Sequence, residues 1–309
     1  MPTQGEVRPL PLNRLLLSLF ALGLAACALV GAAAAAPTTL FSFDGIGMSG
    51  AWGLANTNGD IGRSQYVQAA GGRLAVYSRV GIGTPIAALS TADFWSPLAG
   101  KGADEDLCVG NPSGDATVVH DDRADRWVVA ESAGPTGGPY AICVAVSKTE
   151  DATGEFNRYA FQVSTTKRPA APKLGVWQDA YYLAFNQFTS GGAWAGAGAL
   201  AVERSQMLVG GATAQQRYFD LSSVTPGLGG MLPASQDGNA APMAPDEIFM
   251  QVDDDPNDIN DRLELWTFHV DWAAPQSPSD FTPLASIPVT PFDAVIDGVR
   301  QAGPLFPPG

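Results

Sequence analysis

The chain has 309 residues, of which 46% are hydrophobic and 16% are charged, with 35 glycines and 24 prolines. This composition is typical of a turn-rich globular protein and argues against long helices and against intrinsic disorder. Seventeen basic and 31 acidic residues give a formal net charge of -14, which repels phosphate backbones and anionic membrane surfaces, so no nucleic acid partner is expected.

The amino-terminal segment predicts export. Arg8 and Arg14 precede a long apolar run that ends in alanines, which offer a signal peptidase the small side chains that it requires. We therefore expect residues 1–35 to be a signal peptide and the protein to be secreted or extracellular. The alternative is a lipoprotein signal ending at Ala26, in which Cys27 is lipidated and anchors the chain to the cell envelope. Contact with a membrane is expected only through such an anchor.

The loop over residues 56–60 is a candidate calcium site. Its side-chain oxygens come from Asn56, Asn58 and Asp60 at alternate positions, and calcium is bound by clustered oxygens of this kind. The alternative is an Asx turn that orients the following strand, which the sequence favours because Asp60 is the only charge in the loop. Calcium is the one cofactor that the sequence suggests.

The next residues predict hairpins in series. Residues 64–80 form two short alternating runs joined by Gly71 and Gly72, which suit the positive φ angles of a two-residue turn. Residues 115–163 then contain four consecutive predicted strands, separated by polar or glycine-rich turns. Four antiparallel strands over this length are typical of one blade of a β-propeller.

Cys108 and Cys143 are predicted to form a disulfide. They are the cysteines that remain when Cys27 is removed or lipidated, and thiols outside the cytosol tend to pair. The alternative is two buried free thiols. With three cysteines and two histidines in the whole chain, a closed zinc site of four ligands is not expected.

The segment over residues 120–127 combines aspartates and arginines in a turn between two predicted strands. Asp121, Asp122 and Arg123 are candidate ligand-binding residues, because carboxylates and a guanidinium at a cleft could hold a sugar or act as acid and base. The alternative, which the sequence favours, is a structural turn in which Asp and Arg pin the hairpin while Trp127 packs between sheets.

Further strands are predicted at residues 174–185 and 198–203, with a short helical turn at 205–208. Four aromatic side chains in this part could stack on sugar rings, but alternating aromatic residues of strands more often fill the space between blades, so we expect core packing. They are Trp177, Tyr181, Tyr182 and Trp194.

Another predicted hairpin, with strands at residues 247–252 and 262–270, carries an acidic loop that includes Asp253 and Asp255. These like charges repel one another unless a cation compensates them, so the loop is a second candidate calcium site. A solvated hairpin tip is the alternative that the sequence favours.

The fold class predicted from these elements is all-β, a β-propeller-like array of four-stranded antiparallel blades. We expect this domain over residues 36–290 and a loose tail, rich in proline and glycine, over residues 291–309; even the stretch after Trp272 has little capacity for a packed blade. Strand counting alone leaves open a β-sandwich. It also leaves open whether the array of blades is complete.

Five motifs in fixed order resemble a family of secreted, propeller-like bacterial proteins that has no established reaction. The resemblance covers about residues 40–272 and implies export and a propeller-like architecture, with no activity. Members of that family continue past the last motif, which puts closure of the ring in question here. The motifs are NGDIG with YVQ over residues 58–68, DRW at 125–127, CVAVS at 143–147, LGVWQDAYY at 174–182 and FHVDW at 268–272.

No assembled catalytic motif is present in the sequence. The stretch GIGMSG at residues 45–50 matches GxGxxG, but no helix that could hold a pyrophosphate is predicted after it. The sequence therefore predicts a non-catalytic extracellular binding module for carbohydrate or protein. The alternative is an extracellular glycoside hydrolase or lyase that uses carboxylates from different blades.

Overall fold

The computed structural model describes residues 42–46, 56–80, 83–224, 226–227, 229–238, 245–254, 261–273 and 279–292. Within them the chain forms four antiparallel sheets of four strands, and in each sheet the strands pair in chain order. The predicted signal peptide, the lipidation candidate Cys27 and the tail beyond residue 292 lie outside the described residues. None of the described helices is both long and apolar enough to cross a membrane.

The first sheet, blade 1, contains the predicted hairpin. Gly71 and Gly72 form its turn with φ angles of 52° and 73°, values that only glycine adopts readily. The strands are β1 (Asn58–Ile61), β2 (Gln65–Ala70), β3 (Arg73–Ser78) and β4 (Pro85–Ser90).

The connection from blade 1 to blade 2 contains short helices that the sequence pattern did not predict. Ser90 caps the first of them by accepting a hydrogen bond from the amide of Asp93 at 3.0 Å. The second ends at Cys108, which forms the predicted disulfide with Cys143. The helices are α1 (Thr91–Trp95), a 3₁₀ turn (Ser96–Leu98) and α2 (Ala103–Cys108).

Blade 2 confirms the prediction of four consecutive strands. All eight residues of its third strand are buried, because neighbouring blades cover both faces of this sheet. The strands are β5 (Thr117–Asp121), β6 (Arg126–Ala133), β7 (Tyr140–Ser147) and β8 (Phe156–Ser164).

Blade 3 divides the apolar run at residues 174–185 into two strands, because the chain turns between Val176 and Ala180. The predicted helical turn is present as α3. The elements are β9 (Lys167–Val176), β10 (Ala180–Thr189), β11 (Trp194–Glu203), α3 (Arg204–Val209), β12 (Gln216–Asp220) and a 3₁₀ turn (Leu221–Ser223).

Blade 4 corrects the expectation that the stretch after Trp272 has little capacity for a packed blade. The residues Asp280–Pro288 form its outer strand, and an edge strand tolerates Pro283 and Pro288 because one side of its backbone needs no partner. The strands are β13 (Leu232–Pro233), β14 (Glu247–Asp253), β15 (Arg262–His269) and β16 (Asp280–Pro288).

The four sheets form a β-propeller-like array of blades, as predicted. The first strand of each blade contacts the first strand of the next, β1 against β5, β5 against β9 and β9 against β13. Three separate apolar cores fill the seams between successive blades. A β-sandwich would instead bury one core between two stacked sheets, so this alternative does not describe the chain.

The seam between blades 3 and 4 shows how neighbouring blades fit. Blade 3 presents mostly alanines, among them Ala184, Ala197 and Ala199, while blade 4 presents large rings, among them Phe249 and Phe268. Small side chains opposite large ones allow close packing without voids. We call the end where the first and second strands of the blades connect the lower face, and the opposite end the upper face.

Candidate functional site

The predicted ligand-binding residue Asp121 is a buried tie between blades 2 and 3 on the lower face. Its side chain is fully buried, and Arg204 donates to both of its oxygens, from Nε at 2.7 Å and from Nη2 at 3.0 Å. The hydroxyl of Tyr181 donates to the same carboxylate at 2.9 Å. A ligand at this loop would therefore meet the neighbouring residues rather than Asp121.

His120 lies between two aspartates at the same end of β5. Its Nδ1 is 2.7 Å from Asp122 Oδ1, and its Nε2 is 3.1 Å from Asp125 Oδ1. Partial burial acts to raise the pKa of Asp122, but hydrogen bonds from the amide of Gly238 and from His120 outweigh it and hold the pKa below its usual range. The imidazole thus lies between the two carboxylates and bonds one oxygen of each.

The chain that follows β13 crosses the lower face from blade 4 to blade 2. The amide of Gln236 donates to the carbonyl of Val176 at 2.9 Å, and Gly238 donates to Asp122 Oδ2 at 2.8 Å. Arg123 donates to the side chain of Gln236 at 3.4 Å. Asp122 and Arg123 therefore hold this segment in place, and ligand binding by them remains a prediction.

The oxygens of the first calcium candidate accept backbone hydrogen bonds from the neighbouring blade. Asn58 Oδ1 accepts from the amide of Val118 at 2.6 Å, and Asp60 Oδ2 accepts from the amide of His120 at 2.8 Å. Asn56 precedes β1 with a φ angle of 36°. These bonds join the first strands of blades 1 and 2. They favour the structural alternative over a calcium site, because the oxygens are already used as hydrogen-bond acceptors.

The second calcium candidate is only partly described. Asp253 ends β14 opposite Arg262, and Asp255 lies outside the described residues. Among the residues that the structure describes, no group of three or more His, Cys, Asp or Glu side chains could hold a metal ion. Calcium binding remains a prediction at both loops.

The upper face contains a cleft between blades 2 and 3 that the sequence did not predict. Its volume is about 300 Å³, and backbone, hydroxyl and amide groups form much of its wall. The lining residues come from the segment before β5, from the connection between β6 and β7, and from the start of β9. They are 111–113, 132–136, Tyr140, Arg168 and Pro169.

Asp115 holds two walls of this cleft together. Its carboxylate accepts from the hydroxyls of Ser113 and Ser132, both of which line the cleft, and from the amide of Ser132 at 3.1 Å. It also accepts from the amide of Ala171 in β9 at 2.8 Å. Four donors saturate the carboxylate, so Asp115 fixes the shape of the cleft rather than reaching into it.

Glu131 lies behind the same wall and is fully buried. Trp95 donates to Oε2 and the amide of Gly114 donates to Oε1, both at 2.7 Å. Burial raises the pKa of Glu131 to about 7, with a further contribution from the charge of Asp115, although the hydrogen bonds act in the opposite direction. A carboxyl group that titrates near neutral pH therefore lies next to the cleft.

A row of three side chains extends from the cleft across the upper end of blade 3. Arg168, Phe188 and Trp194 are cross-strand partners on β9, β10 and β11, so they lie on one face of the sheet. The guanidinium of Arg168 is 5.5 Å from the centre of the Phe188 ring, and the rings of Phe188 and Trp194 meet edge to face at 5.7 Å. Two strand spacings make the row about 10 Å long.

Trp194 differs from the other aromatic candidates. The prediction of core packing is confirmed for Trp177, Tyr181 and Tyr182, which are all buried, whereas 43% of Trp194 is exposed. Its indole nitrogen donates to the carbonyl of Pro226 at 2.9 Å, which fixes the ring. The glycine-rich stretch before it is the only sequence signal that could have set Trp194 apart.

No family model matches the chain, and no curated protein matches it. Similar solved structures include the GH43 endo-arabinanase from Bacillus licheniformis, with 11% identity and a TM-score of 0.37 over 70% of this chain and 71% of that one. The endo-arabinase from Bacteroides thetaiotaomicron VPI-5482 has 13% identity and a TM-score of 0.38 over 79% of this chain and 95% of that one.

Proposed function

We propose that the protein is an extracellular carbohydrate-binding module and that the upper face of blades 2 and 3 is its binding surface. The observation that carries this proposal is the row formed by Arg168, Phe188 and Trp194 beside the polar cleft. The exposed face of an indole packs against the C–H face of a sugar ring, while a guanidinium and backbone groups bond its hydroxyls. A row about 10 Å long suits a short stretch of a chain of sugars rather than a single ring.

The carboxylates near this surface favour binding over hydrolysis. Hydrolysis of a glycosidic bond needs two carboxyl groups that face the substrate. Asp115 is saturated by four donors, and Asp220 bonds Lys167 and the amide of Ser222. Asp115 has no free oxygen for a substrate, and Asp220 does not line the cleft, so neither carboxylate is placed to act on a bond in it.

The test is a screen of purified protein against an array of polysaccharides and oligosaccharides, followed by isothermal titration of the best ligands. We expect the substitution Trp194→Ala to weaken binding at least tenfold, because it removes the exposed indole face on which a sugar ring would stack. Phe292→Ala is the matched control, since Phe292 has the same exposed fraction of 43% but lies beyond β16 in blade 4. It should leave the affinity unchanged.

Two results would overturn the proposal. One is a protein that binds no carbohydrate at millimolar concentration in the screen. The other is a set of affinities that excludes the upper face of blades 2 and 3 as the binding surface. Either Trp194→Ala binds the ligand as tightly as the wild type does, or Phe292→Ala binds it more weakly. Binding to a protein partner in place of carbohydrate would favour the other class of ligand that the sequence suggests.

Hydrolysis is the second candidate, and the pKa of Glu131 is the observation that favours it. A carboxylic acid with a pKa of about 7 suits a general acid, although Glu131 is fully buried behind the cleft wall and Asp115 is held by four donors, so neither faces the cleft in this structure. Release of reducing sugar from the ligands found above, and from 1,5-α-L-arabinan, tests this candidate. Release by the wild type that disappears in a folded Glu131→Gln variant would make hydrolysis the function; absence of release would leave binding.

The proposal includes export, and membership of the secreted family that the five motifs resemble. The apolar segment before residue 36 supports secretion, and the lipidated form beginning at Cys27 is the alternative. Mass spectrometry of the amino terminus of the protein from its culture medium and from its membrane fraction distinguishes the two. A chain that retains Met1 in the cytoplasm would contradict both.

A further inference from the structure

A second cavity lies in the seam between blades 1 and 2, on the side away from the upper cleft. Its volume is about 100 Å³, and most of its walls are apolar. Blade 1 contributes residues of β2, β3 and β4, blade 2 contributes residues of β6 and β8, and α1 contributes one ring. Among the apolar lining residues are Leu74, Ala87, Leu89, Phe94, Trp127 and Phe156.

The packing of β4 explains why this seam is not filled. Ala87 and Leu89 of this outer strand are only partly buried, so the edge of blade 1 does not close fully over the rings of Phe94 and Phe156. Native interiors contain few voids larger than a water molecule, and an apolar cavity stays dry and accepts small apolar molecules. The cavity is therefore suited to a compact apolar group.

Arg158 gives the cavity a cationic wall. Its guanidinium carbon lies 4.7 Å from the centre of the Phe94 ring and 5.6 Å from the centre of the Phe156 ring. Nη1 donates to the carbonyl of Phe156 at 3.1 Å, while Nε is buried without a hydrogen-bond partner. An arginine stacked in this way presents its remaining donors in a fixed plane.

The charge of Arg158 has no direct counterion among the described residues. Glu155, three residues before Arg158, bonds the ammonium of Lys148 at 2.7 Å and is largely exposed. Burial lowers the pKa of Arg158 from its usual value, and the charge of Glu155 offsets only part of this effect. A planar cation with a vacant donor beside an apolar cavity is complementary to a carboxylate that carries an apolar body.

We propose that this seam cavity, which we call the seam site, binds a compact apolar monocarboxylate such as benzoate. The apolar body would occupy the space between Leu74, Leu89 and the ring of Phe94. The carboxylate would accept hydrogen bonds from the guanidinium of Arg158, which is the side chain that can pair with it in this cavity. The seam site is separate from the upper cleft, so the two can be tested independently.

The experiment follows the indole N–H resonance of Trp127 in protein labelled with ¹⁵N-tryptophan. Trp127 lines the seam site, and its Nε1 donates to the carbonyl of Glu150 at 3.1 Å, so occupancy changes its surroundings. The probes are benzoate, the neutral benzyl alcohol and acetate, which lacks the apolar body. We expect benzoate to shift the resonance saturably, benzyl alcohol to bind at least tenfold more weakly, and acetate to have no saturable effect.

Two variants test separately how the charge of Arg158 and the volume of the cavity contribute to binding. Arg158→Met keeps an apolar side chain over Phe94 and Phe156, and it should reduce the affinity for benzoate at least tenfold while leaving that for benzyl alcohol unchanged. Ala87→Leu adds volume at a partly buried position of β4 and should abolish binding of both without loss of stability. If Ala87→Leu proves unstable, competition by benzyl alcohol with benzoate at the Trp127 resonance provides the same information.

Three results would overturn the proposal. They are no saturable shift with benzoate, equal affinities for benzoate and benzyl alcohol, and an affinity for benzoate that Arg158→Met leaves unchanged. None of these results bears on carbohydrate binding, because the seam site shares no residue with the row on the upper face. The Trp194→Ala variant should therefore bind benzoate as the wild type does. Conversely, loss of carbohydrate binding in that variant leaves the seam site untouched.

Discussion

The lower and upper faces of blades 2 and 3 use polar side chains in opposite ways. On the lower face Asp121, Arg204 and Tyr181 bond one another across the seam, and His120 fills the gap between two aspartates. On the upper face Asp115 and Glu131 are withdrawn behind the cleft wall. The groups left accessible there are the guanidinium of Arg168 and the indole of Trp194.

The two faces therefore divide stability and recognition between them. A buried charge is tolerated only when partners surround it, so the paired groups of the lower face are unavailable to a ligand and costly to remove. An exposed side chain that bonds little within the protein can be removed at small cost and has its surface free for a ligand. The lower face should therefore govern stability, and the upper face should govern binding.

The largest effect is expected for Arg204→Met on the lower face. The substitution leaves the fully buried carboxylate of Asp121 without its cation, which should reduce the free energy of unfolding by about 3–5 kcal/mol. Urea denaturation followed by circular dichroism measures this change. Arg123→Met is the control, because Arg123 makes one long bond at the surface and its loss should change stability by less than about 0.5 kcal/mol. Equal effects of the two variants would contradict the assignment of the lower face.

A somewhat smaller loss is expected when Cys108 and Cys143 are both replaced by alanine. The disulfide spans a sequence separation of 35, and closure of a loop of that length stabilises by about 3–4 kcal/mol in the chain-entropy model. Cys108 lies just before the segment that lines the cleft, so carbohydrate affinity should also fall. Thermal melts with and without reductant provide the check, since the reduced wild type and the variant should unfold together.

The pH dependence of stability should reveal Glu247, a buried carboxyl group that lacks side-chain hydrogen-bond partners of the kind that Asp121 has. Glu247 of blade 4 is fully buried, and burial together with the charge of Asp179 raises its pKa to about 9 from 4.5, although the backbone of Ala234 acts in the opposite direction. The folded state keeps a proton that the unfolded state has lost, so stability falls as pH rises between these values. The slope from this group is at most about 1.4 kcal/mol per pH unit.

The variant Glu247→Gln isolates this slope. Between pH 8 and 9 the wild type should lose stability and the variant should lose much less, because Glu131, with a pKa of about 7, has by then released most of its proton. Chemical denaturation at three pH values measures both slopes. A wild-type stability that stays constant or rises over this range would contradict a neutral Glu247.

The smallest effect on stability is expected for Trp194→Ala. Since 43% of Trp194 is exposed and its main bond is to one carbonyl, its loss should cost far less than truncation of a core aromatic residue. Tyr182→Ala is the comparison, because Tyr182 is fully buried between blades 3 and 4 and its removal should cost about 3–5 kcal/mol. Similar thermal shifts for the two would show that Trp194 is a structural residue.

Blade 2 could be predicted from the sequence because its strands alternate clearly and its turns are polar. The outer strand of blade 4 could not, because Pro283 and Pro288 indicate a loop unless the strand is known to lie at an edge. The short helices between residues 91 and 108 span too few residues to produce a helical period. Cys108 and Cys143 could be paired because the expected compartment favours disulfides.

The candidate sites were harder to predict, because the sequence does not show which groups saturate one another. Side-chain oxygens spaced as in Asn58 and Asp60 could bind a cation. The same oxygens can equally well accept hydrogen bonds from the backbone amides of a neighbouring strand, as they do here from β5. From the sequence alone Asp121 resembles an exposed acidic residue, because Arg204, which pairs with it, is distant along the chain. The upper cleft joins three separated segments, so only the fold could reveal it.

The most direct test of the account is to map a bound oligosaccharide onto the indole resonances of the ¹⁵N-tryptophan-labelled protein. The account predicts a saturable shift of the Trp194 resonance, with Trp127 and Trp272 unchanged because they lie at the lower ends of their blades. Saturable shifts of Trp127 or Trp272 with none at Trp194 would contradict it, since the ligand would then occupy the face assigned to stability.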